Sequence, residues 1–253
     1  MLDRHLRPQA GRWMEPTVQR LLKRGTRPDT LTVWSLLLAL ASALLFLLAP
    51  ALPLAGPSIP PAGPASPPGG AASFPVAGPA GELGSAPAGA EWSRLPLLIL
   101  AAFLVLLSGA LDALDGALAR KVGPTKRGDF LDHSFDRFGD VLLLGGIVFG
   151  GHAPFPWGFA ALATMLLTSY LGTQAQALGL GRTYGGLLGR LDRMLAIAVV
   201  AGLQFVVPWP VLGFTLLGWL VAGFAVLGGV TVAQRFGEVW GRLKESAPPA
   251  PKD

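Results

Sequence analysis

The sequence predicts an all-α integral membrane protein with six transmembrane helices and an N-terminal amphipathic helix that lies in the membrane interface. Three observations support this prediction. Only 14% of the 253 residues are charged and 51% are hydrophobic, whereas a soluble domain has about a quarter charged residues. Apolar runs that approach the ~20 residues needed to cross a bilayer recur along the chain. Basic residues cluster in every second connection between those runs.

The apolar runs give the approximate position of each membrane span. Spans three and five are short at their uncharged limits, so we expect both helices to begin earlier, within the polar residues that precede them. The connections between spans three and four and between spans five and six are short, which is typical of antiparallel neighbours. The predicted spans cover residues 31–52, 95–118, 137–152, 156–178, 194–208 and 210–233.

The distribution of charge predicts the orientation of the bundle. Basic residues precede span one and follow spans two, four and six, whereas the other three connections contain only Arg94. Because Lys and Arg stay on the cytoplasmic side, we expect a plasma-membrane protein with both termini and the loops after spans two and four in the cytoplasm. The net charge of +5 and the pI of about 10.1 then reflect topology and attraction to anionic lipid, not nucleic-acid binding. Since the chain has no cysteine, disulfides and thiolate metal sites are excluded.

Three segments of a predicted single domain, residues 1–253, differ from the membrane spans. Residues 1–29 are basic, and 13–25 has the apolar stripe of an interfacial helix, although an ordinary juxtamembrane segment is the alternative. Residues 50–92 are rich in Pro, Gly and Ala with almost no charge, so we expect a flexible extracytoplasmic loop. Residues 245–253 are predicted to be a disordered tail.

Four aspartates lie close together around the connection between spans two and three. Asp112 and Asp115 are three residues apart and therefore share one face of a helix. Asp132 and Asp136 are four residues apart and also share a face. A Gly-Pro break at 123–124 separates the two helices. Two adjacent antiparallel helices can therefore point four carboxylates at one another, at the expected cytoplasmic end of the bundle.

Carboxylates at membrane depth indicate function because they are costly. Each costs about 2.5–3.5 kcal/mol on insertion scales, and four that converge repel one another unless a cation lies between them. Oxygen-rich sites of this kind suit Mg²⁺ or Mn²⁺, and two such ions about 3.5–4 Å apart would clamp a diphosphate. Arg120 lies near enough to contact a phosphate oxygen. Gly116, Ala119 and Gly128 leave room for a flat ligand against the backbone.

An ordinary structural role is the alternative for the second pair of aspartates. Acidic residues such as Asp132 and Asp136 are favoured in the first turns of a helix by the helix dipole. That explanation does not extend to Asp112 and Asp115, which lie near the C-terminal end of their helix, where carboxylates are unfavourable. The sequence therefore favours a divalent-metal site.

The same stretch resembles the signature of the CDP-alcohol phosphotransferase (phosphatidyltransferase) family, D-x2-D-G-x2-A-R-x8-G-x3-D-x3-D. All eight signature residues are present, with seven residues instead of eight between Arg120 and Gly128. The resemblance implies an enzyme that displaces CMP from a CDP-linked donor, usually CDP-diacylglycerol, with an alcohol acceptor and Mg²⁺ or Mn²⁺. It also implies a homodimer and a phospholipid-synthesis role.

The resemblance assigns expected roles to the signature residues. Asp112, Asp115 and Asp132 would be metal ligands. Asp136 would bind metal or act as the base that takes the proton of the acceptor hydroxyl. The residues expected to bind the donor are Gly116, Ala119 and Gly128 for cytidine and Arg120 for the diphosphate.

The acceptor side resembles phosphatidylinositol-phosphate synthases and their archaeal relatives only in part. Ser169-Tyr170 and the arginines Arg190 and Arg193 match, but Gly172 and Gln174 stand where those enzymes have basic residues. We expect Tyr170 and Gln174 to face the bundle interior. Possible acceptor contacts are Tyr170, Gln174, Arg190 and Arg193, and glycerol phosphate, inositol phosphate, inositol and serine remain open as acceptors.

Three other polar residues are outside the signature. His133 and His152 lack a partner at metal-ligand spacing, so we expect structural roles for both. Asp140 continues the stripe of the second aspartate pair one turn deeper, where an unpaired carboxylate would indicate function.

Two other classes of membrane protein use intramembrane carboxylates. An ion- or proton-coupled transporter would carry them near the bilayer midplane on discontinuous helices, with no need for Gly116 and Gly128. A magnesium-dependent intramembrane prenyltransferase would also clamp a diphosphate, but from two separated acidic clusters. Binding of a cytidine nucleotide that requires metal distinguishes the transferase from both.

Overall fold

The structure, a computed structural model, describes residues 2–49, 95–181 and 189–245, with side chains described over 13–49, 96–181 and 189–244. The predicted loop over 50–92, the segment 182–188 and the tail from 246 lie outside the described residues. All regular structure in the described part is helical apart from one isolated bridge, which confirms the all-α class. The helices are α1 (Leu2–Lys23), α2 (Pro28–Leu48), α3 (Leu95–Val122), α4 (Lys126–Phe149), α5 (Phe155–Ala177), α6 (Arg190–Val206) and α7 (Leu216–Glu245).

Three of the described helices, α2, α3 and α7, are long and apolar enough to cross a membrane. Their outward faces expose large apolar side chains, such as Leu37 and Leu48 on α2 and Phe103 on α3. A surface of this kind fits a lipid environment better than water. The buried core lies between the helices and includes Phe46, Leu144 and Ile147.

Helices α4 and α6 begin within polar residues, as the sequence predicted. Thr125 caps α4, since its side-chain oxygen accepts a hydrogen bond from the Gly128 backbone N–H at 3.0 Å. Helix α6 begins at Arg190, where the Gly189 N–H donates to the Asp192 carboxylate at 3.1 Å. Both helices therefore carry acidic or basic residues in their first turns, and these residues face the same end of the bundle.

Helix α7 begins six residues later than the sequence predicted. Instead of continuing from residue 210, the chain forms a tight turn in which Val211 and Phe214 pair their backbones. Leu212 and Gly213 have φ angles of 50° and 84° in this turn, a left-handed conformation that helices exclude. Because the turn is apolar, hydropathy alone does not distinguish it from the helix that follows.

Helix α1 is longer than the predicted 13–25 segment and rests on the bundle. It extends back to Leu2 and ends before Gly25, which has a φ of 67°. Val18 is buried while Trp13 is fully exposed, and Glu15 forms an ion pair with Lys121 of α3. Its hydrogen bond to the Lys121 ammonium holds the pKa of Glu15 below the usual range.

Close helix packing around α2 sets the positions of α3 and α4. Ser35 and Ser108 hydrogen-bond reciprocally to each other's backbone carbonyls, at 3.0 and 2.8 Å, which joins α2 to α3. On the other side, α4 approaches α2 through Gly146, where a Cβ would come within 2.8 Å of the Ala43 Cα. Small residues allow such backbone approach between membrane helices. Helices α3 and α4 are therefore both fixed against α2, with their connecting turn between them.

Candidate metal centre

Three carboxylates converge where α3 ends and α4 begins. Asp112 and Asp115 come from α3 and Asp132 comes from α4, and each offers an oxygen within 4.8 Å of the others. The turn between the helices is short, with Gly123 at a φ of 107°, a conformation that glycine adopts without steric cost. Packing of both helices on α2 and this sharp turn bring the three side chains together.

Asp115 is the most buried of the three, with 3% of its surface exposed. Thr32 of α2 lies beside it. Within the described residues, its Oδ2 is buried and accepts no hydrogen bond. A buried oxygen without a partner is costly, and a bound cation satisfies it. Three carboxylates with one orphaned oxygen are a donor set that fits a hard divalent ion such as Mg²⁺ or Mn²⁺.

Asp136 lies one turn deeper than Asp132 and outside this group of three. Its Oδ1 is 2.5 Å from Nη1 of Arg190, the first residue of α6, and Arg190 also forms an ion pair with Asp112. Nη2 of Arg137 is 3.8 Å from the other Asp136 oxygen. The structure therefore brings all four signature aspartates to one end of the bundle, with three close together and the fourth linked to them through Arg190.

The residues expected to bind the nucleotide lie on α3 and α4, close in sequence to the three aspartates. The Arg120 guanidinium lies over Gly116, since a Cβ at Gly116 would be 3.5 Å from Arg120 Nη1. Ala119 is half-buried beside them. At Gly128, a Cβ would lie 3.1 Å from Thr125 Oγ1, so the first turn of α4 has little room for a side chain there. The amino end of α4 also presents the positive end of a helix dipole to this region.

The expectation that Tyr170 and Gln174 face the bundle interior is wrong. Tyr170 is 60% exposed and Gln174 is also exposed. The inward face of α5 is formed by small residues and a methionine, because this face packs closely against α7. One close approach is visible at Gly228 of α7, where a Cβ would overlap the Thr164 side chain. The buried residues of α5 are Gly158, Ala161, Met165, Gly172 and Ala175.

Arg193 is buried and its charge is already paired. Its Nη2 lies 2.7 Å from Asp140 Oδ2, and Arg137 Nη1 lies 3.2 Å from the same oxygen. Asp140 is therefore not the unpaired carboxylate that would by itself indicate function. Of the two arginines expected to contact the acceptor, only Arg190 touches a signature aspartate.

The histidines and two neighbours of the aspartates complete the polar residues near the site. His152 is structural as expected, with Nε2 3.1 Å from the Phe46 carbonyl oxygen and far from the carboxylates along α4. His133 Nδ1 lies 3.3 Å from Asp132, and its role stays a prediction. The sequence reasoning missed Arg137 and Thr32. An arginine inside a predicted span was a usable signal, whereas Thr32 is recognised only once α2 packs on α3.

Comparison with known proteins agrees with this geometry. The sequence model of the CDP-alcohol phosphatidyltransferase family matches residues 93–232. The archaetidylinositol phosphate synthase of Methanothermobacter thermautotrophicus is 35% identical over 149 residues, which cover 58% of this chain and 73% of the relative.

Solved structures show the same fold at lower identity. The phosphatidylinositol phosphate synthase of Mycobacterium tuberculosis with CDP-DAG bound gives a TM-score of 0.63 at 24% identity, over 96% of this chain and 98% of that one. The same enzyme in complex with manganese and citrate gives 0.62 at 24% identity, over 94% and 91%. The family match covers more than half of the chain and includes every signature residue, so the protein belongs to the CDP-alcohol phosphatidyltransferase family of enzymes.

Proposed function

We propose that the protein transfers a phosphatidyl group from CDP-diacylglycerol to an alcohol acceptor and releases CMP. The observation that supports this most directly is the convergence of Asp112, Asp115 and Asp132, with the orphaned Asp115 oxygen, in a member of this family. The donor is proposed because a protein of the same fold binds CDP-DAG. Family membership also argues against the transporter and prenyltransferase alternatives.

In this proposal Asp112, Asp115 and Asp132 hold Mg²⁺ or Mn²⁺, and two ions are expected with Asp136 as a further ligand. Bound metal would stabilise the negative charge that develops on the departing CMP. The manganese complex of the structural neighbour supports a divalent ion. The three carboxylates would hold the metal ion at one end of the bundle. A polar nucleotide can reach the metal there, while the lipid chains of the donor remain beside the helices.

The nucleotide is proposed to bind over Gly116, Ala119 and Gly128. The lack of side chains at the two glycines allows the cytidine to approach the backbone of both helices. Arg120 is exposed and folds over Gly116, so a small rotation would bring its guanidinium to a diphosphate oxygen. Such a contact would help to orient the donor.

The acceptor is proposed to be a phosphorylated alcohol of the inositol phosphate class, and Arg190 its principal contact. The related enzyme from M. thermautotrophicus is an inositol phosphate-type synthase by name. Arg190 is mostly buried and lies between Asp112 and Asp136, so its guanidinium would hold an acceptor phosphate beside a carboxylate. Asp136 would take the hydroxyl proton as general base. Tyr170, Gln174 and Arg193 have weaker support as acceptor contacts, because Tyr170 and Gln174 lie away from the buried face of α5 and Arg193 is paired with Asp140, which is not a signature aspartate.

The proposed setting is a plasma membrane crossed six times by α2 to α7, with α1 in the cytoplasmic interface. The basic residues of every second connection support this orientation, and the aspartates then open to the cytoplasm, where CMP is released. A homodimer is proposed from the family resemblance. The outward-facing Tyr170 and Gln174 would then lie against lipid, water or the second copy.

An acceptor screen tests the proposal. Purified protein in bilayer nanodiscs receives CDP-diacylglycerol and Mn²⁺, and CMP release is measured with glycerol 3-phosphate, inositol 1-phosphate, inositol or serine. We expect inositol 1-phosphate to give the fastest release. CMP release that is faster with an unphosphorylated acceptor would contradict the acceptor class, and no release with any acceptor would contradict the transferase function itself.

A further inference from the structure

Two ion pairs connect α4 and α6 in successive turns. The outer pair joins Asp136 to Arg190 at 2.5 Å, and the inner pair joins Asp140 to Arg193 at 2.7 Å. Asp136 and Asp140 are four residues apart and the arginines are three apart, so each step is about one helical turn. The residue numbers increase from the outer to the inner pair in both helices, so the two helices run parallel here. The two ion pairs therefore form two successive links, or rungs, between them.

The inner pair is buried from solvent. Asp140 is 6% exposed and Arg193 is 8% exposed. Arg137 donates to the same carboxylate at 3.2 Å, so Asp140 joins two arginines from two helices. Burying a charge costs free energy unless a charge of opposite sign pairs with it. The planar guanidinium of Arg193 therefore has one favourable position relative to α4.

The outer pair lies at the metal centre and depends on the same register. Arg190 contacts Asp112 as well as Asp136. Its guanidinium passes beside Gly139, where a Cβ would lie 3.5 Å from Arg190 Nη2. Because Arg190 is the first residue of α6, no preceding helical turn fixes it. Its position relative to the aspartates depends on the packing of α6 against α3 and on the turn that follows, which contains Arg193.

We propose that Asp140 and Arg193 form a positioning pair, which fixes the register of the first turns of α6, a helix that packs on α3, relative to α4 and so holds Arg190 between Asp112 and Asp136. The pair itself touches neither the group of three carboxylates nor the proposed reacting groups, and it acts through Arg190. Its effect on turnover rests on the proposed function. Its effect on metal binding and stability does not.

The test compares the single changes Asp140→Asn and Arg193→Gln with the double change. Asp140→Asn leaves the buried Arg193 charge without its partner, and Arg193→Gln leaves Asp140 paired only with Arg137, so the melting temperature of the protein in nanodiscs falls in both. The double change leaves a neutral pair with similar shape, so we expect the melting temperature to return near wild type. Glu238→Gln, which removes an acid paired within α7, is the control.

The double change is nevertheless expected to remain impaired in catalysis. Without the ionic rung Arg190 is displaced, and kcat/KM for inositol 1-phosphate should fall about tenfold to a hundredfold. KM for CDP-diacylglycerol should stay unchanged, because the residues over the nucleotide are untouched. The Mn²⁺ dissociation constant, measured by electron paramagnetic resonance without donor, should fall about threefold because a competing cation is held less firmly at Asp112.

The outcomes separate this inference from the proposed function. Restoration of melting temperature, kcat/KM and Mn²⁺ affinity together in the double variant would show a purely structural pair and overturn the inference. If wild type releases no CMP, the proposed function fails, and the Mn²⁺ dissociation constant alone decides: a lower value in the double variant supports the positioning pair, and an unchanged or higher value overturns it.

Discussion

Asp115 has the least ordinary surroundings of the signature aspartates. It is almost completely buried, it lies within 4.8 Å of two other carboxylates through its oxygens, and its Oδ2 accepts no hydrogen bond from the described residues. Burial and repulsion both oppose this arrangement in the absence of a cation. The unfavourable free energy of this arrangement is therefore the strongest physical reason to place a metal ion beside Asp115.

Replacing Asp115 with asparagine tests two effects separately, the stability cost of the buried charge and the role of the carboxylate in metal binding. Asp115→Asn keeps the shape and removes the buried charge, so we expect unchanged or higher thermal stability without metal. The Mn²⁺ dissociation constant should rise at least about tenfold because a direct ligand is lost. Melting temperature and Mn²⁺ binding are measured on the same preparation.

Asp129→Asn is the matched control for this change. Asp129 lies in the first turn of α4, and its side chain is 67% exposed. Its substitution should leave Mn²⁺ affinity within about twofold, since a solvated charge outside the site has little effect. Equal loss of affinity in both variants would mean that the general negative potential, and not ligation by Asp115, attracts the ion.

Arg190 is the residue on which the proposed acceptor site depends. Arg190→Gln removes the only described cation that touches both Asp112 and Asp136, so KM for the phosphorylated acceptor should rise about tenfold or more. Arg190→Lys should recover part of this loss, because a lysine keeps the charge but not the planar fork. Steady-state kinetics with the acceptor varied measures both effects, and an unchanged acceptor KM in Arg190→Gln would reject this role.

The sequence predicted the signature aspartates as a site but not their arrangement. Spacing within a helix fixes which side chains share a face, and this was sufficient for each pair. Which carboxylates approach across the two helices depends on how α3 and α4 rotate against α2, and no local pattern contains that rotation. For the same reason the pairing of Asp136 with Arg190 and the burial of Arg193 became visible only in three dimensions.

At the scale of the elements, close contact between α2 and α4 positions the acidic end of α4. The contact depends on Gly146, where a Cβ would overlap the backbone of Ala43. Gly146→Ala should therefore destabilise the protein by about 1–3 kcal/mol through overpacking and lower Mn²⁺ affinity as Asp132 moves away. Thermal unfolding and Mn²⁺ titration in nanodiscs measure the two effects.

Gly145 offers a control at the adjacent position. A Cβ there would meet only the Phe149 ring, at 4.0 Å. Gly145→Ala should be neutral or stabilising by up to about 1 kcal/mol, because alanine favours the helix. A destabilisation of the same size in both variants would show that the α2–α4 contact has no special sensitivity at Gly146.

Helix boundaries were predictable where polar residues mark them. Thr125 and Gly128 mark the start of α4, and Gly189 precedes α6, which agrees with the expectation that both helices begin within polar residues. The start of α7 was not predictable from hydropathy, because the turn at Val211–Phe214 is itself apolar. The left-handed conformation at Leu212 is uncommon for a residue other than glycine, so the sequence does not mark it.

At the scale of the whole molecule, the proposed orientation in the membrane is inferred from charge and is open to a direct test. The chain has no cysteine, so a single introduced cysteine supplies the one thiol that can be labelled. Thr26→Cys lies between α1 and α2, at the proposed cytoplasmic end, and Leu212→Cys lies in the turn before α7, where the native side chain is 88% exposed.

Labelling with a membrane-impermeant maleimide should distinguish the two sites. In intact cells Leu212→Cys should react and Thr26→Cys should not, whereas both should react after lysis. Reaction of Thr26→Cys in intact cells would place the basic segments and the aspartates outside the cell and reject the proposed topology. The all-helical fold agrees with the apolar runs, so length and hydropathy were sufficient to predict the class. The proposed membrane orientation rests on a few basic residues.

The most direct measurement is metal-dependent CMP release from CDP-diacylglycerol by wild type and Asp115→Ala, with inositol 1-phosphate as acceptor. Wild type should lose activity when EDTA removes divalent ions and recover it on addition of Mn²⁺ or Mg²⁺, while Asp115→Ala should remain at least about a hundredfold slower at every metal concentration. CMP release that persists in EDTA, or a variant as active as wild type, would contradict the claim that these aspartates hold the catalytic metal.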